Sequence, residues 1–366
     1  MTQKIIKTDD FSNIASLVLP SRSEHCLTVC GKDALAMDRI LRNATQERKA
    51  IQLNHFVFAG CGHYENYKKN ISSSDGLTTW LQGDACKDGE IYSMQCFAVS
   101  GINPTPVTVR DRSIGFVYED EHARYCRLNG VSPKNLSLSR AEQTREVFEI
   151  MNEGLLQHGF CFTDTVRTWL YLDKILNWYN EFNIVRTAFF EENGIFVKMV
   201  PASTGIGAAN QYGAALICDL LAVQPKTSKV KIESVESPMQ GSALNYRSSF
   251  SRAVGMEFPT HRSLLISGTA SIDKDGKSVH IGHPELQIDL TMRVVEAILK
   301  SRNMGWQDLF RGIAYFKNMS DLPLFDKYCK THDIPKFPLA VAHADICRND
   351  LLFEIEVDAT TVSQKK

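Results

Sequence analysis

The chain has 366 residues, of which 43% are hydrophobic and 23% charged, with a formal net charge of -1. That length supports two domains or three small ones, each with a packed core. The near-neutral balance, without any long run of Lys or Arg, excludes nucleic acid or an anionic membrane as the main partner, because either needs a concentrated basic face.

Taken from the start, Met1 to Phe11 is polar, with Lys4, Lys7, Asp9 and Asp10, and lacks the apolar stretch of a signal peptide. No segment reaches the roughly 18 uncharged apolar residues of a transmembrane helix. Ala34 to Arg48 has helical patterning, and Gln52 to Ala59 and Ile91 to Val99 read as strands. Residues 1–110 otherwise align with nothing later in the chain and are read as an N-terminal extension, either a degenerate module or an accessory cap. Ala123 to Gly130 reads as a strand. Ser139 to Leu172 then forms an amphipathic helix, with Val147, Ile150, Met151 and Leu155 on one face, followed by a turn and a strand. A second helix spans Leu172 to Phe190, and a loop with Pro201 leads to a strand over Ala214 to Ala222. The polar stretch Gln224 to Pro238 is read as a linker.

The same order returns beyond it. Ser263 to Ser271 is a strand, Asp275-Gly276 a hairpin turn, and His283 to Phe316 a helix, turn and strand, with Leu290, Val294, Val295 and Ile298 on the apolar face. Leu322 to Cys329 is the second helix, Pro335 and Pro338 mark the loop, and Asp350 to Asp358 is the last strand. At one constant offset Gln143 falls on Gln287, Leu155 on Leu299, Arg167 on Arg311 and Tyr171 on Tyr315. Gly159 and Gly305 are placed to cap the two helix ends in the left-handed conformation. The expected fold is α+β: two tandem modules, 111–225 and 239–360, each a mixed sheet with helices on one face.

The ten cysteines, at 26, 30, 61, 86, 96, 126, 161, 218, 329 and 347, contain no CxxC pair and read as reduced, mostly buried thiols of a cytoplasmic protein. Cys26 with Cys30 and His280 with His283 lack partner pairs, so no metal site is expected.

The run LLISGTASIDKDGK, with HIGHPELQIDLTMRVVEAILKSRNMGWQDLFRGIAYFKNMSDLPLFDKY, covers Leu264 to Tyr328 and is similar to the core signature of the Rid/YjgF family. That resemblance implies a chorismate-mutase-like α/β fold, usually trimeric, with ligand sites at module interfaces. A narrower resemblance covers Glu119 to Asp358: EDEHARYCRLNG, RTWLYL, PASTGIG, NYRSSFSRA and ADICRNDLLFEIE look like the chorismatases. Those are cofactor-free enzymes that release the enolpyruvyl group of chorismate as pyruvate and leave a dihydrodiol or a hydroxybenzoate. Two departures stand out. Pro338-Leu339-Ala340 lacks the arginine that Rid imine deaminases carry there, and ILNWYNEFNIVRTAFF is poorer in Arg and Glu than the chorismatase counterpart.

Hydrolysis of an enol ether calls for a carboxylic acid of raised pKa. Leu352, Glu354 and Glu356 alternate with Leu351, Phe353 and Ile355, which by pattern alone is a half-buried strand with a solvated acidic face. The chorismatase resemblance instead places Glu354 at the catalytic glutamate, and Cys347 at a position linked to the hydroxybenzoate branch. A dicarboxylate substrate needs forked cationic donors, for which Arg252, Arg186 and Arg167 are the choices, with Tyr246 as a hydrogen-bonding partner. Each arginine has a structural alternative as a surface or inter-domain salt bridge. In PASTGIG, Thr204, Gly205 and Gly207 are read either as an anion-binding nest or as a tight turn before a strand. Trp169 and Trp178 are assigned to the core. The partner expected is a small anionic metabolite such as chorismate, the assembly a monomer or homotrimer, and no cofactor is implied. The rival readings are a Rid-type imine or enamine hydrolase and a non-catalytic metabolite-binding protein.

Overall fold

The computed structural model describes residues 2–9, 12–70, 78–82, 91–246 and 248–363, with the backbone alone for Ile91 and Tyr92; Met1, Asp10, Phe11, Cys86 and Arg247 lie outside these. The chain builds three sheets. The first unit comprises β1 (Gln3–Thr8), β2 (Ser12–Val18), β3 (Ser23–Cys30), α1 (Ala34–Glu47), β4 (Ile51–Ala59), α2 (Tyr64–Asn70), β5 (Thr78–Gln82) and β6 (Ile91–Ser100). The second comprises β7 (Thr105–Val109), β8 (Arg112–Glu119), β9 (Ala123–Val131), α3 (Arg140–Gln157), β10 (Thr165–Leu172), α4 (Tyr179–Glu192), α5 (Ile195–Lys198), β11 (Ala202–Gly207), β12 (Ala209–Asn210) and β13 (Leu216–Pro225). The third comprises β14 (Lys231–Val235), β15 (Ala253–Glu257), β16 (His261–Ala270), α6 (Pro284–Ser301), β17 (Leu309–Phe316), α7 (Leu322–Thr331), β18 (Leu339–His343) and β19 (Phe353–Val362).

The strand orders β1-β2-β3-β6-β4-β5, β7-β8-β9-β13-β10-β11 and β14-β15-β16-β19-β17-β18 are one topology written three times, with β12 added to the edge of the first sheet. In each, only the pair β4/β5, β10/β11 or β17/β18 is parallel, as a helix crossover between the two strands requires. The register agrees too. A bulge falls between Gln52 and Asn54, between Thr165 and Arg167, and between Leu309 and Arg311. Overlaying these bulges matches Asn54 with Arg167 and Arg311, and Phe58 with Tyr171 and Tyr315. Residues 1–110 are therefore not a cap: up to Ser100 their described strands form a third sheet unit of the same topology, β7 already belongs to the second unit's sheet, and the α+β reading holds with three units in place of two.

Three finer expectations change. Lys231–Val235, inside the proposed linker, is an edge strand paired with β15; its exposed polar side chains hide it from a hydrophobic pattern. The Pro-containing loops hold the short strands β11 and β18. The left-handed position after the third unit's long helix belongs to Asn303 (φ 54°), whereas Gly305 is extended; Gly159 does take the left-handed form in the second unit (φ 73°).

Each sheet packs helices on one face, giving three separate cores around α1, α3 and α6. The opposite faces meet in a fourth core that contains Phe56, Phe58, Trp169, Tyr171, Ile313 and Tyr315. Sheets buried on both sides explain why β10 and β17 are buried along their whole length. The long helices start on defined signals: a Ser139–Glu142 capping box for α3, and Pro284 in the first turn of α6. The repeated glutamine has one job in both units. Gln143 accepts from the Ala215 N–H at 2.9 Å, and Gln287 from the Leu352 N–H at 2.8 Å while donating to the Asp350 carbonyl at 2.8 Å. Gln287 thus ties α6 to the segment that leads into β19. Gln287→Leu strands those buried backbone groups and should destabilise the protein by about 2–4 kcal/mol, read from urea unfolding curves.

Candidate active site

Where β11 of the second unit lies against β16 and β19 of the third, the sheets part around a chamber of about 50 Å³. It opens to a vestibule of about 1280 Å³ between α4 and the residues Leu244, Tyr246, Ser248 and Ser249. A space of about 50 Å³ holds only a few water molecules, whereas the vestibule beside it has room for a ring-sized molecule. The second unit contributes Tyr179, Arg186 and Gly205 to the chamber wall; the third contributes Tyr246, Arg252, Gly268, Cys347, Arg348 and Glu354.

Glu354 is 5% exposed, so the solvated acidic face suggested by alternation is absent: the strand's outer face is the inter-unit core. Burial, reinforced by the neighbouring Glu356 carboxylate, raises the Glu354 pKa to about 8 against the pull of Arg167 and Arg252. The acid form is therefore the resident one at neutral pH. Its place depends on Gly268, where any Cβ would overlap the Glu354 carboxyl oxygen.

Arg186 and Arg252 are buried, and neither takes part in an ion pair among the described residues. Arg186 donates to Asn183 Oδ1 at 2.5 Å and its Nε is without a partner; Arg252 donates twice to the Gly241 carbonyl, at 3.0 and 2.8 Å. Burial lowers the pKa of both guanidinium groups, and nearby Tyr179 and Tyr246 respectively favour their charge. Two desolvated cations beside a neutral acid form a site for an anion. Tyr246 lies between Arg252 and Arg348, whose guanidinium carbons sit 5.6 and 5.5 Å from its ring centre. Burial pushes the Cys347 thiol up to about 12, helped by Glu354, so Cys347 faces the chamber as a neutral thiol and not as a nucleophile.

Of the residues singled out in the sequence, Glu354, Cys347, Arg252, Arg186, Tyr246 and Gly205 meet here. Arg167 and Thr204 do not line the chamber. Arg167 donates to Glu356 at 2.8 Å and to Thr204 at 2.7 Å, while Thr204 bonds Glu356 and Arg311 pairs with both Glu356 and Asp358. The salt-bridge alternative is the one realised for Arg167. PASTGIG is not a nest: β11 runs parallel to β10, the Ser203 N–H donates to Ser267 and the Gly207 N–H to the Asp345 carbonyl. Trp169 is core, donating to Glu356 at 2.7 Å, and Trp178 packs in the second unit's core at the vestibule edge. Sequence reasoning missed Tyr179, which opens α4, and Arg348, the neighbour of Cys347. A polar wall residue at a helix start carries no pattern of its own.

The two equivalent positions carry no acid. The position of Glu354, opposite Tyr315, corresponds to Ile217 opposite Tyr171 and to Ser93 opposite Phe58. Ser93 bonds both the carbonyl and the N–H of Val341, at 2.7 and 3.0 Å.

Fold and chamber together define a three-unit α+β protein with a buried acid and two buried arginines lining one inter-unit chamber. A crystal structure of a chorismatase superposes over 93% of this chain and 100% of its own, with a TM-score of 0.64 at 19% identity, which establishes the shared fold. In sequence, a chorismatase of Streptomyces rapamycinicus is 27% identical over 53% of this chain and 64% of its own length. A chorismatase of Streptomyces hygroscopicus is 29% identical over 52% and 60%, so the chain spans less than two thirds of either relative. A 3-hydroxybenzoate synthase of Streptomyces hygroscopicus is 25% identical over 59% and 68%. No protein-family model matches. These relatives bear out the resemblance to the chorismatases. Among the described residues, no helix is long and apolar enough to cross a membrane.

Proposed function

We propose that the chain is a cofactor-independent, chorismatase-like enzyme that removes the enolpyruvyl group of chorismate as pyruvate. One observation carries this reading: a buried carboxylic acid, favoured in its neutral form at pH 7, shares a chamber with two buried arginines that have no ion pair among the described residues. Glu354 gives its proton to the methylene carbon of the enol ether, and positive charge develops at the ether carbon. Water adds there, and the resulting hemiketal collapses to pyruvate and the ring alcohol, returning the proton to Glu354. Arg186 and Arg252 hold the two carboxylates from opposite units, and Tyr179 and Tyr246 orient those guanidinium groups. The ring alcohol so released is a dihydrodiol; with the Cys347 thiol beside the acid in the chamber, we read it as going on to a hydroxybenzoate by loss of one water. The chamber's neutral acid favours this over imine hydrolysis, for which the loop at Pro338 lacks an arginine. With three units in one chain, we read the protein as a monomer, and as a cytoplasmic enzyme.

The deciding experiment incubates purified protein with chorismate, follows pyruvate with a coupled assay and separates the ring products by chromatography. Pyruvate with a hydroxybenzoate is the expected result. Folded protein that neither binds chorismate nor releases pyruvate would sink the reading.

A further inference from the structure

Glu356 takes no part in the chamber, yet it is among the most heavily bonded carboxylates in the molecule. It is fully buried, two residues from Glu354 on the same face of β19, which puts the two Cα atoms about 7 Å apart. It receives Arg167 Nη2 at 2.8 Å and Trp169 Nε1 at 2.7 Å, with Arg311 and Thr204 closing on it as well. Arg311 goes on to Asp358 at 3.1 Å. The set holds two guanidinium groups and two ion-paired carboxylates, so it is neutral without Glu354. Thr204 also accepts the Gly268 N–H at 3.1 Å, and Gly268 is the residue against which the Glu354 carboxyl rests.

We propose that Glu356 is a positioning residue for the acid: anchored by Arg167 and Arg311, it opposes a second negative charge on Glu354 and, through Thr204 and Gly268, sets where that side chain sits. The inference rests on Glu354 serving as the acid of the proposed reaction. The groups that face Glu354 are Arg167 from β10, Tyr179 and Arg186 from α4, Tyr246 and Arg252 ahead of β15, and Cys347 and Arg348 ahead of β19. Of the cations, Arg167 is spent on Glu356, Arg348 is held at the chamber edge by the Gly276 carbonyl at 2.6 Å, and Arg186 and Arg252 are the ones an anionic ligand would neutralise. Ligand binding therefore leaves Glu354 facing Glu356 with less compensation and strengthens its hold on the proton. Burial works against the charge of Glu356, but Arg167 and Arg311, with the bonds from Thr204 and Trp169, keep it below the usual carboxylate range. Two like groups with opposed environments are thereby driven apart in protonation.

The test is an infrared pH titration of the protonated-carboxyl band of the ligand-free protein, with Glu354→Gln subtracted to isolate Glu354 from other buried acids. Glu356→Gln removes the opposing charge and frees two cations, so the Glu354 midpoint should fall by about one pH unit or more. Glu356→Asp, which keeps the charge, should stay near wild type. Arg311→Gln, which leaves Glu356 with one cation fewer, should move the midpoint up, so a failure of one variant to fold leaves the other to decide. A parallel move in the high-pH limb of the pyruvate-release profile is expected. An unmoved midpoint in a folded charge variant overturns the proposal, as does wild-type protein without a titrating Glu354 band. A shifted band in protein that releases no pyruvate would uphold the inference and reject the chorismatase reading.

Discussion

Glu354→Gln is expected to lose pyruvate release by about 10³-fold or more and to unfold at a higher temperature than the wild type above pH 5. The two effects have one origin. Below its ordinary value of 4.5, Glu354 is protonated in both the folded and the unfolded chain and costs nothing. As pH rises through 4.5 the unfolded chain ionises, while the folded chain keeps the proton until about 8. The unfolded state then binds fewer protons, so folded stability falls across that window and levels off above it. For a fully buried carboxyl the cost is on the order of a few kcal/mol. An amide of the same shape is not subject to it, so the variant's gain should grow from pH 5 to 8 and appear as several degrees in Tm. Activity depends on the same proton and should decline as pH passes about 8. Calorimetry of both proteins at pH 5, 6.5 and 8, beside the pyruvate assay, checks the pair. A Tm difference that ignores pH would mean that Glu354 is ionised in the folded protein and no acid.

The repeat was legible where it is carried by side chains that recur, as with Gln143 and Gln287 or Arg167 and Arg311. It was illegible in the first unit, where Asn54 stands at the arginine position and Phe58 at the tyrosine position, and only the strand register discloses the match. Edge strands such as Lys231–Val235 lack a buried face and leave little pattern to read. At the site, Glu354 and Cys347 came from resemblance, because alternation along β19 predicts a wet acidic face unless a third sheet is known to cover it. The choice among arginines turned on partners far away in sequence: Arg167 meets Glu356 189 residues later, while Arg186 and Arg252 form no ion pair among the described residues. Charge pairing across units is a property of the assembled fold. Residue type alone does not reveal which arginine is spent.

Gly268→Ala should cut kcat by about 10²-fold while leaving Tm close to wild type. The backbone there is not in the left-handed region, so alanine meets no dihedral penalty; its methyl group would overlap the Glu354 carboxyl oxygen and touch Thr204 Cγ2 at 3.3 Å. The carboxyl is the part that yields, swinging into the chamber and off the line to the reacting carbon, and a displacement near 1 Å costs about that factor in rate. KM should change less, because Arg186 and Arg252 keep their places. The equivalent residue of the second unit provides the contrast. Gly130 has φ 57° and a Cβ there would lie 3.1 Å from the Thr78 carbonyl, so Gly130→Ala strains the backbone and should lower Tm while sparing kcat. Activity and melting temperature measured for both variants separate the two roles. If Gly268→Ala kept full activity, the Glu354 carboxyl would not be the group whose position limits the reaction, and the acid would have to be sought elsewhere in the chamber.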